Sequence, residues 1–349
     1  MDAAAPAGSD AAPPARPRIV FFGSGAFALA VLDALLADPA TVPVAIVSTP
    51  DRPAGRAATL TPTPVAARAR ESGADLRQPA TLRDAAAVAM LAGLSPDLGV
   101  VADYGCIVPA ALLAIPRRGF LNVHPSLLPR HRGAVPIPAT IAEGDAETGV
   151  TVISMDAGVD TGPIVAVSRR SLDGTEDAPG LEAVLAAEGA ALLRATLAPW
   201  LAGALPATPQ PEAGATVTRT LRREDGRLDP AEPAIVLARR VRALRPWPGT
   251  FVETAAGRLV VLEAATLDPT PRPGPAEAGA GAAGGQTVEP GTIVADGDGL
   301  ALVTAQGALR LLRVQLAGGR AMSSAELRRG RPALVDSRVA AHVRESRPS

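Results

Sequence analysis

Asn122 and His124 stand one residue apart in Phe120-Leu121-Asn122-Val123-His124, an apolar run of buried-strand type. Side chains two apart on a strand point the same way, so the amide and the imidazole share a face at the strand's carboxyl end. An amide can donate to an oxygen that gathers negative charge, and an imidazole can carry a proton near neutral pH. Further along, Met155-Asp156-Ala157-Gly158-Val159-Asp160-Thr161-Gly162 puts two carboxylates in a glycine-bracketed loop after a second apolar run. Either Asp156 or Asp160 could orient the imidazole and stabilise its protonated form.

The elements that must position these groups follow an alternating pattern. Ile19-Val20-Phe21-Phe22 predicts a strand; Gly23-Ser24-Gly25 predicts a turn; Phe27, Val31 and Leu35, four residues apart, predict a helix. Further strands are expected at 44–47, 98–101, 119–124, 150–155 and 164–167, with helices at 65–71 and 181–201. Alternation of this kind implies an α/β fold, a Rossmann-like and mainly parallel sheet with helices on both faces. Gly23-Ser24-Gly25-Ala26-Phe27-Ala28 fits the dinucleotide fingerprint G-x-G-x-x-A. The acid that should close the second strand is absent, because Val47-Ser48-Thr49-Pro50 occupies its place, so a bare tight turn is the better reading than a nicotinamide site.

Downstream the texture changes to short strands between turns, at 250–253, 259–264, 291–295, 300–304 and 309–316, which suggests a small β-barrel. The expected organisation is a disordered tail at 1–16, a catalytic domain at 17–203, a linker at 204–218, a C-terminal barrel domain at 219–337 with a flexible insert at 267–288, and a tail at 338–349. Charge divides along the same line. Residues 1–218 hold 15 Arg and 21 acids, net −6, whereas residues 219–349 hold 19 Arg and 14 acids, net +5. A basic second domain behind an acidic first one is the asymmetry expected of a chain that touches a polyanion with one part of its surface. There is no Lys, so all 34 basic residues are Arg, and the one cysteine, Cys106, leaves no intramolecular disulfide and no cysteine-cluster metal site. The apolar stretch at 19–32 is interrupted by glycines and too short to span a bilayer, which predicts a soluble cytoplasmic protein.

Asn122, His124, Ser126-Leu127-Leu128-Pro129 and Asp160 together resemble the signature of enzymes that transfer formyl groups from 10-formyltetrahydrofolate. Within that superfamily, Pro50-Asp51-Arg52-Pro53-Ala54-Gly55-Arg56, Gly144-Asp145-Ala146-Glu147-Thr148-Gly149, Pro246-Trp247-Pro248 and Gly318-Gly319-Arg320-Ala321-Met322 are similar to the methionyl-tRNA formyltransferase family. The similarity runs from about Arg18 to Leu334. It implies an OB-like C-terminal barrel, 10-formyltetrahydrofolate as formyl donor, initiator methionyl-tRNA as acceptor, no metal, and a monomer by default. The alternative within the same chemistry is an amino-sugar nucleotide as acceptor, which would need neither the Arg52/Arg56 loop nor a basic barrel.

The resemblance also implies roles. Asn122 would donate to the oxyanion, a kind of contact that contributes ~10²–10³ in rate. His124 would manage the proton of the attacking amine, and Asp160 would orient His124. Ser126, Leu127, Leu128 and Pro129 would lie against the folate, with Asp156 a weaker candidate there. Arg52 and Arg56 would reach the acceptor end of the tRNA, and Arg239, Arg240, Arg242, Arg245, Arg313 and Arg320 are the candidates on the barrel side. The chain departs from the family at Ala57-Ala58, where lysines are common, at His131, where an aromatic is usual, and at Pro138, which replaces a commonly found Gln.

Overall fold

The computed structural model describes residues 16–54, 58–267 and 288–340. Chain order gives β1 (Ile19–Gly23), α1 (Ala26–Leu36), β2 (Ala45–Val47), β3 (Arg52–Ala54), β4 (Thr59–Thr61), α2 (Pro64–Glu71), β5 (Leu76–Arg77), α3 (Ala85–Gly93), β6 (Leu98–Ala102), α4 (Ala110–Leu113) and β7 (Phe120–His124). Then come β8 (Arg132–Gly133), α5 (Pro136–Glu143), β9 (Glu147–Ser154), β10 (Ile164–Ser171) and α6 (Ala178–Leu201). A seven-stranded sheet has the order β10-β9-β7-β6-β1-β2-β5, and its β7-β6-β1-β2-β5 portion is parallel throughout. This is the Rossmann-like architecture that the alternating pattern implies. The chain separates into two compact units. One takes the chain up to His124 with Val152–Ala166 and Gly189–Gln210; the other takes Pro125–Thr151, Val167–Glu188 and the chain from Pro211 onward.

In the first unit, β1, β6 and β7 are buried along their whole length, as strands covered on both faces require. Phe22 lies at the centre of the apolar cluster on one face, edge-on to Tyr104 and Phe120 at centroid distances of 5.5 and 5.4 Å. Burial pushes the Tyr104 phenol well above its ordinary pKa, so it stays neutral. Helix starts obey local rules: Thr63 caps α2 by accepting from the Ala66 amide, with Pro64 at the first helical position, and Asp84 caps α3 through the Ala87 amide.

The glycine turn after β1 serves packing. The amides of Ser24 and Gly25 donate to the Asp103 carbonyl at 3.0 and 3.3 Å. A Cβ on Gly25 would lie 1.7 Å from the Asp103 carboxylate. The Asp103 carboxylate therefore occupies the space a side chain at position 25 would need, and only glycine fits the turn.

In the second unit, β11 (Val217–Thr218) pairs with β8, and a further set of elements follows: α7 (Ala234–Ala243), β12 (Thr250–Thr254), β13 (Gly257–Leu267), β14 (Ile293–Asp296), β15 (Gly299–Val303), β16 (Ala308–Leu316), β17 (Met322–Ser323) and α8 (Ser324–Gly330). The strands form an antiparallel sheet, β12-β13-β16-β15-β14, with β17 on β16. Its core of Leu237, Val241, Leu259, Val261, Leu300, Leu309 and Leu311 is buried. The five expected strands are thus present, β13 longer than expected because a bulge near Glu263 lets it bend and continue. Helices α7 and α8 were not expected from periodicity; α8 is set by a capping box in which Ser323 and Glu326 satisfy each other's backbone amides. Residues 1–15, 268–287 and 341–349, which include most of the tails expected at 1–16 and 338–349 and nearly all of the expected insert, lie outside the described residues; of the expected C-terminal tail, Arg338 bridges Thr292 and Val339 is buried. Among the described residues no helix is long and apolar enough to cross a membrane.

Candidate active site

β7 ends on His124 at the carboxyl edge of the parallel strands, where open α/β sheets place their sites. Asn122 and His124 project from one face and are almost wholly buried. The loop after β9 begins beside them, because the Met155 amide donates to the Phe120 carbonyl at 2.8 Å. Asp156 then makes a local turn: its Oδ1 accepts from the Gly158 amide at 3.0 Å and from Thr161 Oγ1 at 2.7 Å. The loop closes where the Ser154 amide donates to the Pro163 carbonyl at 2.9 Å. Gly162 is obligatory in this closure, since a Cβ there would stand 1.9 Å from the Ser154 carbonyl oxygen.

Asp160 sits at the apex with φ +54°, a left-handed conformation that costs about 1–2 kcal/mol for most side chains and that Asp and Asn tolerate best. The turn brings its carboxylate to both strand residues. Asn122 Nδ2 donates to Asp160 Oδ1 at 2.9 Å, and His124 Nδ1 stands 3.5 Å from Asp160 Oδ2. A carboxylate only accepts, so it settles two ambiguities. The Asn122 amide must present its NH2 to Asp160, which leaves one N–H for another acceptor. The imidazole must present Nδ1–H, which makes Nε2 the basic nitrogen in the neutral ring. Of the two acids left open by the residue pattern, Asp160 is the one brought to the imidazole, while Asp156 Oδ1 is engaged within its own loop.

One residue that pattern reading missed belongs to the same unit. Gln210 Nε2 donates to the Asp160 carbonyl at 2.8 Å and the Gly162 carbonyl at 2.7 Å. It sits in the stretch read as a linker, between Pro209 and Pro211, and a lone amide among prolines carries no signal of its own. Ile107, in the loop after β6, and Val159, directly before Asp160, are exposed apolar side chains. Cys106 is an exposed free thiol.

In the second unit, Ser126 is fully buried and its hydroxyl donates to the Arg130 carbonyl at 2.7 Å, which clips the loop. Thr151 Oγ1 donates to the Ser126 carbonyl at 2.7 Å and accepts from the Leu128 amide at 3.2 Å. Leu127, Leu128 and Pro129 line a cavity of about 340 Å³ together with Arg130, His131 and Asp145. His131, in place of the usual aromatic, is buried with Nε2 2.7 Å from Asp145 Oδ2. Burial raises the Asp145 carboxyl, but hydrogen bonds from Arg130 and His131 outweigh it and hold the group below the usual carboxylate range. His131, Glu143 and Asp145 are the one group among the described residues with metal-ligand side chains close together. Arg130 pairs with both carboxylates and offsets one of their two charges.

The arginines separate into two kinds. Arg240 donates to Glu232 and to the Asp225 carbonyl, and Arg242 to the Gly174 and Glu176 carbonyls. Both are partly buried and spend their donors on the fold; burial, with the neighbouring Arg239 charge, also lowers the Arg242 pKa. Arg239 packs over Gly144, where a Cβ would meet its guanidinium, and points a nitrogen at the Glu143 carbonyl. Arg245 stands 3.6 Å from Asp177, Arg313 3.6 Å from Glu263, and Arg320 3.9 Å from Glu326; Arg313 and Arg320 are exposed. Arg52 is exposed on the β3–β4 hairpin, and Arg56 lies outside the described residues.

The family pattern described as formyl transferase matches residues 17–197, and that described as formyl transferase, C-terminal domain, matches residues 220–332. The methionyl-tRNA formyltransferase of Roseiflexus sp. (strain RS-1) is 42% identical over 313 residues, covering 90% of this chain and 92% of that protein. That of Paramagnetospirillum magneticum is 44% identical over 314 residues, covering 90% and 96%. Among solved structures, an N-formyltransferase from Helicobacter canadensis in complex with folinic acid and dTDP-3-aminofucose superposes with a TM-score of 0.61 at 13% identity, covering 84% of this chain and 98% of that one. At that identity the likeness concerns the fold.

Proposed function

The chain belongs to the methionyl-tRNA formyltransferase family, and from that premise we propose that it moves the formyl group of 10-formyltetrahydrofolate to the free α-amine of initiator methionyl-tRNA in the cytoplasm. The single observation that carries the reading at the level of chemistry is the meeting of Asn122, His124 and Asp160 at the end of β7.

The residues fit the formyl donor. Its flat ring system needs apolar surface, and Ile107 and Val159 offer exposed apolar side chains in loops at the carboxyl ends of β6 and β9. When the amine nitrogen bonds to the formyl carbon, negative charge gathers on the formyl oxygen. The second N–H of Asn122 is placed to donate to it. His124 Nε2 takes the proton that the amine sheds and returns it to N10 as the carbon–N10 bond breaks, so proton and electron pair balance. Asp160 holds the amide and the imidazole and favours the charged imidazole while the proton is in transit.

Contact with the tRNA is assigned to Arg52 and Arg56 at the acceptor end and to the exposed Arg313 and Arg320, with Arg239 and Arg245 at its margin. Arg240 and Arg242 are assigned to the fold, because their donors are spent on internal acceptors. The active form is taken to be the monomer. Leu127, Leu128 and Pro129 give a fixed apolar wall to the cavity beside Arg130, a surface suited to part of the folate.

The test is direct. Purified protein, 10-formyltetrahydrofolate and methionyl-tRNA should yield formylmethionyl-tRNA, with initiator tRNA preferred over elongator and a dTDP-amino-sugar left unformylated. Formylation of the sugar nucleotide with none of the tRNA would reverse the assignment of the acceptor. Sedimentation of the protein with and without tRNA reads the oligomeric state.

A further inference from the structure

We infer that Gln210 is a positioning residue for the reaction, holding Asp160 through the backbone of its loop; the inference rests on the catalytic roles proposed above. Its side-chain amide has two N–H groups on one nitrogen, and the two acceptors, the carbonyls of Asp160 and Gly162 at 2.8 and 2.7 Å, bracket Thr161. One side chain thereby ties the backbone on both sides of Thr161. On the entering side of the loop Asp156 holds Gly158 and Thr161, and at its closure Ser154 meets Pro163.

The placement of Gln210 is itself determined. Thr208 and Ile164 exchange backbone hydrogen bonds at 2.8 and 2.7 Å in an isolated antiparallel bridge, which registers the segment after α6 against the start of β10. Two residues on, Gln210 precedes Pro211, and a residue before proline is confined to extended conformations. Backbone register and proline restriction together aim the amide at the loop.

The consequence reaches the chemistry through geometry. Asp160 is in a left-handed conformation and its two carboxylate oxygens serve two partners, Asn122 at 2.9 Å and His124 at 3.5 Å. Hydrogen bonds weaken steeply with distance and angle, so rotation of the Asp160 backbone by a few tenths of an ångström weakens both contacts together. Gln210 is neutral and its side-chain amide donates to two backbone carbonyls of the loop, so its assigned effect falls on turnover and not on binding.

Three variants test this: Gln210→Ala, Gln210→Glu, which keeps size and removes the donors, and Gln210→Asn, which keeps the donors on a shorter arm. Single-turnover formylation by the full chain should slow about ten- to a hundredfold in Gln210→Ala and Gln210→Glu, a loss expected of a misplaced catalytic group. Gln210→Asn should recover part of it. KM for 10-formyltetrahydrofolate and Kd for methionyl-tRNA should stay within about threefold. In a double-mutant cycle, Gln210→Ala should add little to Asp160→Asn, because the first acts through the second. Thermal melting separates misfolding from misplacement, and the near-isosteric Gln210→Glu decides if the Ala variant melts early. A wild-type rate in Gln210→Glu, or a full additive loss on the Asp160→Asn background, overturns the inference. A wild-type rate in Asp160→Asn alone would instead overturn the catalytic roles on which it rests.

Discussion

Replacing Asp160 by Asn isolates the carboxylate charge from the loop that carries it. Asn tolerates the left-handed region nearly as well as Asp, so the φ of +54° is retained without new strain, which an Ala at this position would introduce. The new amide oxygen can still accept from Asn122 Nδ2, as Asp160 Oδ1 does at 2.9 Å. Its NH2 then faces His124 Nδ1, now 3.5 Å from an acceptor. A donor in that place opposes the Nδ1–H tautomer, and the charge that stabilises the imidazolium is gone. Hydrogen bonds to charged groups contribute about 1.5–3 kcal/mol, and each ~1.4 kcal/mol is tenfold in rate, so loss of the His124 contact slows transfer by about 10- to 150-fold. Inversion of the tautomer, which puts the proton on Nε2, adds to that figure. The assay is rapid quench of a preformed complex of enzyme and methionyl-tRNA mixed with saturating 10-formyltetrahydrofolate, which reads the chemical step apart from binding and release. A single-turnover rate within threefold of wild type, with melting temperature unchanged, would refute the role given to the carboxylate.

Gly162→Ala forces a Cβ against the Ser154 carbonyl; it should cost about 1–3 kcal/mol in stability by denaturant titration and reduce turnover, and an unperturbed variant would show that the loop closure is looser than described. Asp145 is held below the ordinary carboxylate range in the folded protein, so its stabilisation is present above the unfolded value near ~4 and is lost as pH falls through the folded one. Asp145→Asn should therefore lower the melting temperature at pH 7, with the difference from wild type shrinking below about pH 4; a difference independent of pH would contradict the Arg130 and His131 contacts. Arg52→Ala and Arg56→Ala should each reduce the slope of log affinity for tRNA against log salt by about 0.7–0.9, as loss of one phosphate contact demands, with folate KM unchanged. Unaltered slopes would remove these two residues from the tRNA face.

What the sequence determined by itself is what depends on short-range periodicity and on residue type. Alternation along Phe120–His124 puts Asn122 and His124 on one face whatever surrounds them, because side chains on a strand repeat every two residues. Unbroken apolar runs at β1 and β6 required a sheet covered on both sides, and the basic C-terminal part required only counting. Contacts set by loops and by distant chain segments were decided only in the tertiary structure. Residue types left Asp156 and Asp160 equivalent, and one left-handed turn separates them, turning Asp160 inward while Asp156 ties its own loop. Asp103, about 80 positions away, is what requires glycine at position 25, and Gln210 meets the Asp160 and Gly162 carbonyls only when the segment after α6 returns alongside β10. The local code is written in neighbours that chain geometry brings together in any fold; which carboxylate meets which imidazole depends on loop closures that no stretch of residues specifies alone.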